Sequence, residues 1–524
     1  MWLCKMKEVR TNDKQEMREY QLKRISNSRV SFDSILKLGL NSIEKGKENK
    51  ALWMVRLAAH YAEMNHPGIF ASEIAENMLS EIGSNQYGTL KPKLSRFSKR
   101  GNGLENIVHI ITESYSTGGH TRAMMNLIDM TKDQYNNYVI FTNQVNPPSL
   151  VRDYIGRNKI EYAALSETPN LVVKSGELRY LCENFADRIV LHIHMDDPVP
   201  SVAFSGDFDV PVLLFNHADH LFWIGNNASD TVLNIRPAAL ELSNLRRTSK
   251  GNELLPIPIG IRKRIEKRLA RQEIGIPPNK IVIATMASDI KFTPFGQFSI
   301  TGLIEKIMYF YGQNLVFIAI GAVPDGNLQP LKEKLGDKVI LKGPVDSPNV
   351  ILSAADIYVD SFPLSSLTSA LDAAALGLPV FSLRNPSNPL FNLNDISFLR
   401  YPEVSVNFEE AFDRIRPMIE DTRYREELGI SMQENVMSDH SSDKWVRKVS
   451  ELYKSTNTHK SAYVRPPNLD SLNEIDLALS EQQVYWKGHR EPWVDVLVSK
   501  KQYNFMGLTY YAIHLGSTLK SKLH

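Results

Sequence analysis

DSFPLSSLTSALDAAALGLPV, residues 360–380, is the stretch from which the architecture is read. An apolar run, Ile357 to Phe362 (IYVDSF), ends in it at Asp360. A Ser- and Thr-rich turn and a helix-like segment at 366–376 follow, and Leu378 to Ser382 (LPVFS) begins the next apolar run. A short strand, a turn, a helix and another strand form the repeating unit of a parallel, doubly wound sheet. Ligands of such sheets bind at the carboxyl ends of the strands. The turn supplies a helix N-terminus together with the hydroxyls of Ser366, Thr368 and Ser369, a set suited to holding a diphosphate without a metal. Asp372, on the same helix, offers two acceptor oxygens to a ribose. The alternative is a capped helix that only leads into a strand.

The same alternation extends to both sides. Lys280 to Ala287, Asn314 to Gly321 and Val339 to Lys342 read as strands, and 297–311, 348–355 and 408–420 as helices. Upstream, Pro256 to Lys263 (PIPIGIRK) interrupts the pattern as an interdomain connection would. Before it lies a second series of runs: Asn106 to Thr112, Tyr138 to Phe141, Arg188 to His194, Val210 to Asn216 and Asp230 to Ile235. Two such series joined by a short linker predict two Rossmann-like α/β domains facing a cleft. The expected boundaries are 105–255 for the first domain and 264–455 for the second. Residues 1–104 read as a helical N-terminal extension, with apolar residues at three- and four-residue spacings in Leu52 to Ala62 and Ile74 to Ile82. Residues 456–524 form a C-terminal extension to which the sequence assigns no role.

Three further motifs fall at predicted strand ends. Ser116 to Arg122 (STGGHTR) follows the first strand; Gly118 and Gly119 let the backbone approach a ligand closely, and the helix behind them favours an anion. His120 could act there as a base, or be a histidine exposed at a tight turn. Lys291, in the loop after the strand at 280–287, is placed to reach a phosphate. His192, His194, Asp196 and Asp197, followed by His217, Asp219 and His220, invite a metal reading, a cleft-lining one, or that of hydrogen-bonded structural polar groups. Neither spacing nor residue type decides among His120, His217 and Asp219 as the base.

Composition removes other classes of function. The 524 residues carry 61 Lys+Arg against 59 Asp+Glu, a net charge of +2, which gives no concentrated basic face for nucleic acid. Lys91 to Arg100 and Arg262 to Arg271 are locally basic and read as solvated helix faces or linkers. With 2 cysteines and no CxxC pair, neither a disulfide scaffold nor a thiolate metal site is expected. The start lacks the apolar core of a signal peptide, and no stretch reaches the roughly 18 apolar residues that span a bilayer. A cytoplasmic location is the resulting expectation.

The 360–380 stretch resembles the C-terminal lobe of GT-B glycosyltransferases. In many retaining members a carboxylate, a run of small residues and then G-x-P occupy this helix, and Asp372, Gly377 and Pro379 match, with Asp in place of the usual Glu. Leu364 stands where those proteins carry a first glutamate. The arrangement of Asp360, Pro363, Thr368, Ser369 and Asp372 is also similar to that of the O-GlcNAc transferase group, although Ser366 and Leu367 depart from its Gly-His pair and no tetratricopeptide repeats are present. The resemblance covers about 105–455. It implies that Thr368 and Ser369 hold a diphosphate, that Asp372 binds the ribose and that Lys291 neutralises the leaving phosphate. It places the GGH turn, with His120, on the acceptor side of the reacting centre.

The expected activity is hexosyl transfer from a nucleotide-sugar donor, UDP-linked, to a hydroxyl of a glycan, a lipid-linked glycan or a protein. Catalytic roles fall to His120, Lys291 and His217, with no metal cofactor. A non-catalytic partner subunit and a nucleotide-sugar epimerase are the alternatives. A peripheral membrane contact, an oligomer and a partner subunit are all compatible with the sequence, which leaves donor base, sugar and stereochemical course open.

Overall fold

The computed structural model describes residues 11–85, 97–98, 100–116, 119–248, 250–260, 263–294, 299–345, 347–384, 393, 408–441, 443–458 and 464–487. Its strands are β1 (Asn106–Ile111), β2 (Asn136–Phe141), β3 (Glu161–Ala164), β4 (Arg188–His192), β5 (Val212–Asn216), β6 (Thr231–Asn234) and β7 (Gly251–Leu254), then β8 (Ile281–Met286), β9 (Leu315–Ile320), β10 (Val339–Lys342), β11 (Ile357–Val359) and β12 (Val380–Phe381). They form two sheets, ordered β3-β2-β1-β4-β5-β6-β7 and β10-β9-β8-β11-β12. Every pairing is parallel. The order reverses beside β1 in the first sheet and beside β8 in the second, and crevices at such reversals are where ligands of these folds bind.

Burial explains which strands could be read from the sequence. Every residue of β1 and β2 is buried, as in strands covered on both faces, and their apolar parts, Ile107–Ile111 broken only by His109 and Tyr138–Phe141, are readable as runs. The edge strands β3 (EYAA) and β7 (GNEL) are only partly covered, carry polar residues and escape a search for apolar runs.

The N-terminal segment does not stand apart from the first sheet. Its helices Thr11–Ile43, Glu48–Met64 and Glu73–Asn85 bury Phe32, Val55, Leu79 and their neighbours in one core with Ile110, Leu178, Phe222 and Trp223. The fully buried Glu76 accepts hydrogen bonds from the Gly225 and Asn227 amides at 2.9 and 2.8 Å, and burial pushes its carboxyl upward. The chain's other end returns to the same place. Asp476, on the helix Glu474–Lys487, receives Arg246 at 2.9 Å and His66 at 2.7 Å, all three being buried.

The connection between lobes is held by helix ends. Trp445 donates its indole N–H to Pro256 O at 2.8 Å, and the Ile259 amide donates to His440 O at 3.1 Å. The basic run that follows is solvated only in part, at Lys263 and Arg268, and not throughout as the sequence suggested. Arg271 is buried against Asp356 at 2.5 Å, Lys267 meets the same carboxylate at 2.9 Å, and Arg264 donates to Ala355 O. Lys91 to Arg96 lie outside the described residues, so that basic patch is placed only in part. No described helix is long and apolar enough to cross a membrane.

Replacing Asp476 by Ala strands a buried guanidinium and a buried imidazole. The expected loss is about 3–5 kcal/mol, read as a lowered urea midpoint for the first lobe. An unchanged midpoint would show that the network does not hold the chain's ends together.

Candidate functional site

The quoted turn is built around one carboxylate. Asp360, at the end of β11, accepts the Ser361 and Ser366 amides on Oδ1 at 2.9 and 3.0 Å, which folds residues 361–366 back onto the strand end. The Ser361 hydroxyl closes the turn on Leu364 O at 2.7 Å, and the Phe362–Pro363 bond within it is cis. The helix Leu367–Ala375 then begins with Ser366 as its N-cap residue, whose carbonyl accepts the Ser369 and Ala370 amides at 2.8 and 3.0 Å, and a helix start leaves its first amides without intrahelical acceptors. The Ser366 and Ser369 hydroxyls lie 3.2 Å apart there. Burial, opposed by these amides and by Lys291, pushes the Asp360 carboxyl up to about 6.

Lys291 lies on a short 3₁₀ turn after β8 and donates to Ser365 O at 2.9 Å. Burial lowers its ammonium pKa, Asp360 and Asp219 act to raise it, and Arg236 acts with burial. Arg236 precedes the helix Pro237–Arg246 and holds Asp219 at 2.6 Å, while His220 meets the other oxygen of Asp219 at 3.0 Å. Although burial opposes it, this pairing keeps the Asp219 carboxyl well below the usual carboxylate range. Asp219 is therefore ionised and engaged, which makes it a poor proton acceptor.

The first lobe meets this turn directly. Gly119 starts the helix Gly119–Thr131, and a Cβ there would lie 2.9 Å from Thr368 Cγ2 and 3.0 Å from Thr368 Oγ1. A glycine is needed because the lobes touch here. Thr117 and Gly118 lie outside the described residues. One turn along the helix, Arg122 approaches Asp372 at 3.6 Å across the cleft. The sequence reading quoted Arg122 in its motif but gave it no role, and it passed over Arg236. An Arg-Pro pair opening a helix at a strand's carboxyl end was the available signal for Arg236.

His120 donates to Glu113 O at 3.0 Å through Nε2, since a carbonyl only accepts; Nδ1 is thereby the unprotonated nitrogen. Its ring stacks on His217 at 5.2 Å and meets His194 edge-on at 6.0 Å, while Tyr115 lies 5.5 Å away. Burial lowers His120 to about 4 and His217 to about 3. Both are neutral near pH 7.

The HxHxDD run is not a ligand set. His192 points into the sheet, where its Nε2 lies 3.2 Å from His109. Asp196 pairs with Arg56 at 3.3 Å, and Asp197 accepts the Thr112 and Thr142 hydroxyls at 2.7 and 2.5 Å. Only His194, past the end of β4, faces His120. Among the described residues no group of three or more His, Cys, Asp or Glu could hold a metal ion.

No protein-family model matches the chain, and no curated protein matches it in sequence. Solved structures match in fold. A variant of TarM from S. aureus, in complex with fondaparinux, alpha-GlcNAc-glycerol and UDP, has TM-score 0.52 at 10% identity, covering 67% of this chain and 100% of that one. HepE from Anabaena, in complex with UDP and glucose, gives 0.50 at 12% identity over 66% and 99%. The sucrose-phosphate synthase of Thermosynechococcus elongatus gives 0.50 at 14% identity over 67% and 98%. The likeness is one of architecture: two Rossmann-like domains in the GT-B arrangement, the fold to which the 360–380 stretch pointed.

The His120 environment sets a pH test. Its folded value, about 4 against an ordinary 6.5, means that the unfolded chain binds this proton first as pH falls. The stability it contributes is present above pH 6.5 and is lost as pH falls toward 4. Ring-proton NMR, assigned with His120→Gln, should show a midpoint near 4; a midpoint near 6.5 would contradict the buried, neutral ring.

Proposed function

We propose that the chain is a glycosyltransferase that moves a sugar from a nucleotide-sugar donor, UDP-linked, to the hydroxyl of a glycan, lipid-linked glycan or protein acceptor. The observation that carries this reading is the contact of Gly119 with Thr368. It brings the N-termini of two helices together at the carboxyl ends of two parallel sheets, where their dipoles favour an anion. That TarM and HepE are described with UDP supports a nucleotide-linked donor on this fold.

In this reading Ser366, Thr368, Ser369 and the first amides of their helix receive the diphosphate, and Asp372 receives the ribose hydroxyls. An acceptor oxygen attacks the anomeric carbon as the bond from that carbon to the diphosphate oxygen breaks. The leaving group departs with both bonding electrons, and Lys291 and the helix N-terminus stabilise its growing charge. The acceptor's proton passes to Nδ1 of His120, with His217 stacked behind it. The bound diphosphate raises the proton affinity of His120 above that of the unliganded ring, since a nearby anion favours the imidazolium. No step calls for a metal.

The purified chain, incubated with a panel of nucleotide sugars, should release nucleoside diphosphate from one of them. Lys291→Ala should slow this release by about 100- to 1,000-fold, the usual effect of removing one donor to a developing oxyanion. Asp372→Ala should weaken donor binding by about 10- to 100-fold, the loss of a hydrogen-bonded charged group. No release, with no thermal shift on adding any nucleotide, would overturn the donor-site assignment.

A further inference from the structure

A second hollow lies outside the cleft. A cavity of about 330 Å³ opens between the helix Glu48–Met64 and the loops that follow β2 and β3. Trp53, Arg56, Asn143, Gln144, Thr168 and Lys174 are among the side chains that line it. The volume falls within the roughly 300–1,000 Å³ of small-molecule sites.

The walls are fixed. Trp53 donates its indole N–H to Pro169 O at 3.0 Å, and the Arg56 guanidinium carbon stands 5.4 Å from the centre of its ring. Arg56 is in turn bonded to Asp196 at 3.3 Å. Lys174, buried, donates to Thr142 O at 3.0 Å and to Asn143 Oδ1 at 3.2 Å. Its ammonium is also within the field of Asp197 and Glu177. Both cations are therefore balanced by carboxylates that lie behind the lining, which disfavours a free phosphate as the occupant. A lipid chain would strip water from a lining of amides, a hydroxyl and two cations and give no hydrogen bond in return. A sugar ring suits all of them: its C–H face packs on an indole, and its hydroxyls both donate and accept toward amide and hydroxyl groups.

The cavity wall is bonded to a loop of the cleft. Gln144 accepts the Ser114 amide and hydroxyl at 2.8 and 2.7 Å, and Asn143 donates to Glu113 at 2.6 Å. These bonds anchor residues 113–115, the loop whose Glu113 carbonyl holds His120 and whose Tyr115 lies against it. On the other side, the Asp196 that pairs with Arg56 lies two residues beyond His194.

We propose that this cavity is a saccharide subsite, holding a non-reacting sugar unit of a glycan acceptor whose other end reaches His120. The proposal rests on the glycosyltransferase reading of the cleft and narrows its acceptor to a glycan of more than one sugar. The N-terminal segment then has a role in acceptor recognition, because Trp53 and Arg56 belong to it.

The probes are hexoses, N-acetylhexosamines and their disaccharides, titrated into the full chain by saturation-transfer NMR, with UDP binding followed in parallel by calorimetry. Val145→Trp fills the cavity from its exposed rim without removing a hydrogen bond, and Trp53→Ala removes the platform. At least one saccharide should bind the wild type and bind both variants at least tenfold more weakly, with UDP affinity unchanged. Equal saccharide affinity in wild type and Val145→Trp, or no binding by any saccharide, would overturn the subsite. Saccharide binding that responds to Val145→Trp while UDP fails to bind would uphold the subsite and overturn the donor reading instead.

Discussion

The approach of Gly119 to Thr368 is the constraint on which the site depends. Parallel sheets gather all their carboxyl ends on one edge, but that alone leaves two edges with no fixed relation. Backbone of one lobe packed against a threonine of the other fixes it. Because this contact is made, Arg122 reaches Asp372, and Lys291 lies within the field of Arg236 and Asp219 from the opposite lobe. The helix Gly119–Thr131 thus serves both as the cover of its own sheet and as one wall of the cleft.

Charge inside this frame is handled by pairing. Asp219 with Arg236, Asp356 with Arg271 and Asp476 with Arg246 are each buried, and each ties together segments distant in sequence. Such pairs add little net stability against an apolar replacement, yet breaking one strands a charge. Asp360 differs from them. Its oxygen is spent on two backbone amides of its own turn, so its burial shapes the local chain and leaves Lys291 as the nearby cation.

Much of this was legible from residue order alone, and the exceptions share a physical cause. Runs such as NIVHII and LVFIAI announce strands buried on both faces. EYAA and GNEL lie on sheet edges, where solvent lets polar residues stand in a strand. The helical pattern of Leu52 to Ala62 was visible, but not that its apolar face completes the first lobe's core, since a periodicity names a buried face without naming what covers it. The same limit applies to HIHMDD. Spacing brings its side chains near one another along the chain, while the sheet turns His192 inward and neighbouring hydroxyls and Arg56 take up the two aspartates. The four-residue turn that seats Lys291 and the pairing that engages Asp219 are likewise properties of the packed state.

The first and last described helices meet on the first lobe, where Gln21 accepts the Ser480 hydroxyl at 2.7 Å and Asp476 binds His66 and Arg246. The second lobe is consequently an excursion from the first, leaving it near Pro256 and returning near Trp445. The outgoing and returning strands of chain are bonded to each other: His440 to Ile257 and Ile259, Ser441 to Ile259, and Trp445 to Pro256. Two tethers fastened side by side resist sliding and twisting of one lobe against the other better than one would, and so help to hold Thr368 beside Gly119. Alignment of the cleft is in this way a matter of mechanics as much as of affinity, built into the path the backbone takes.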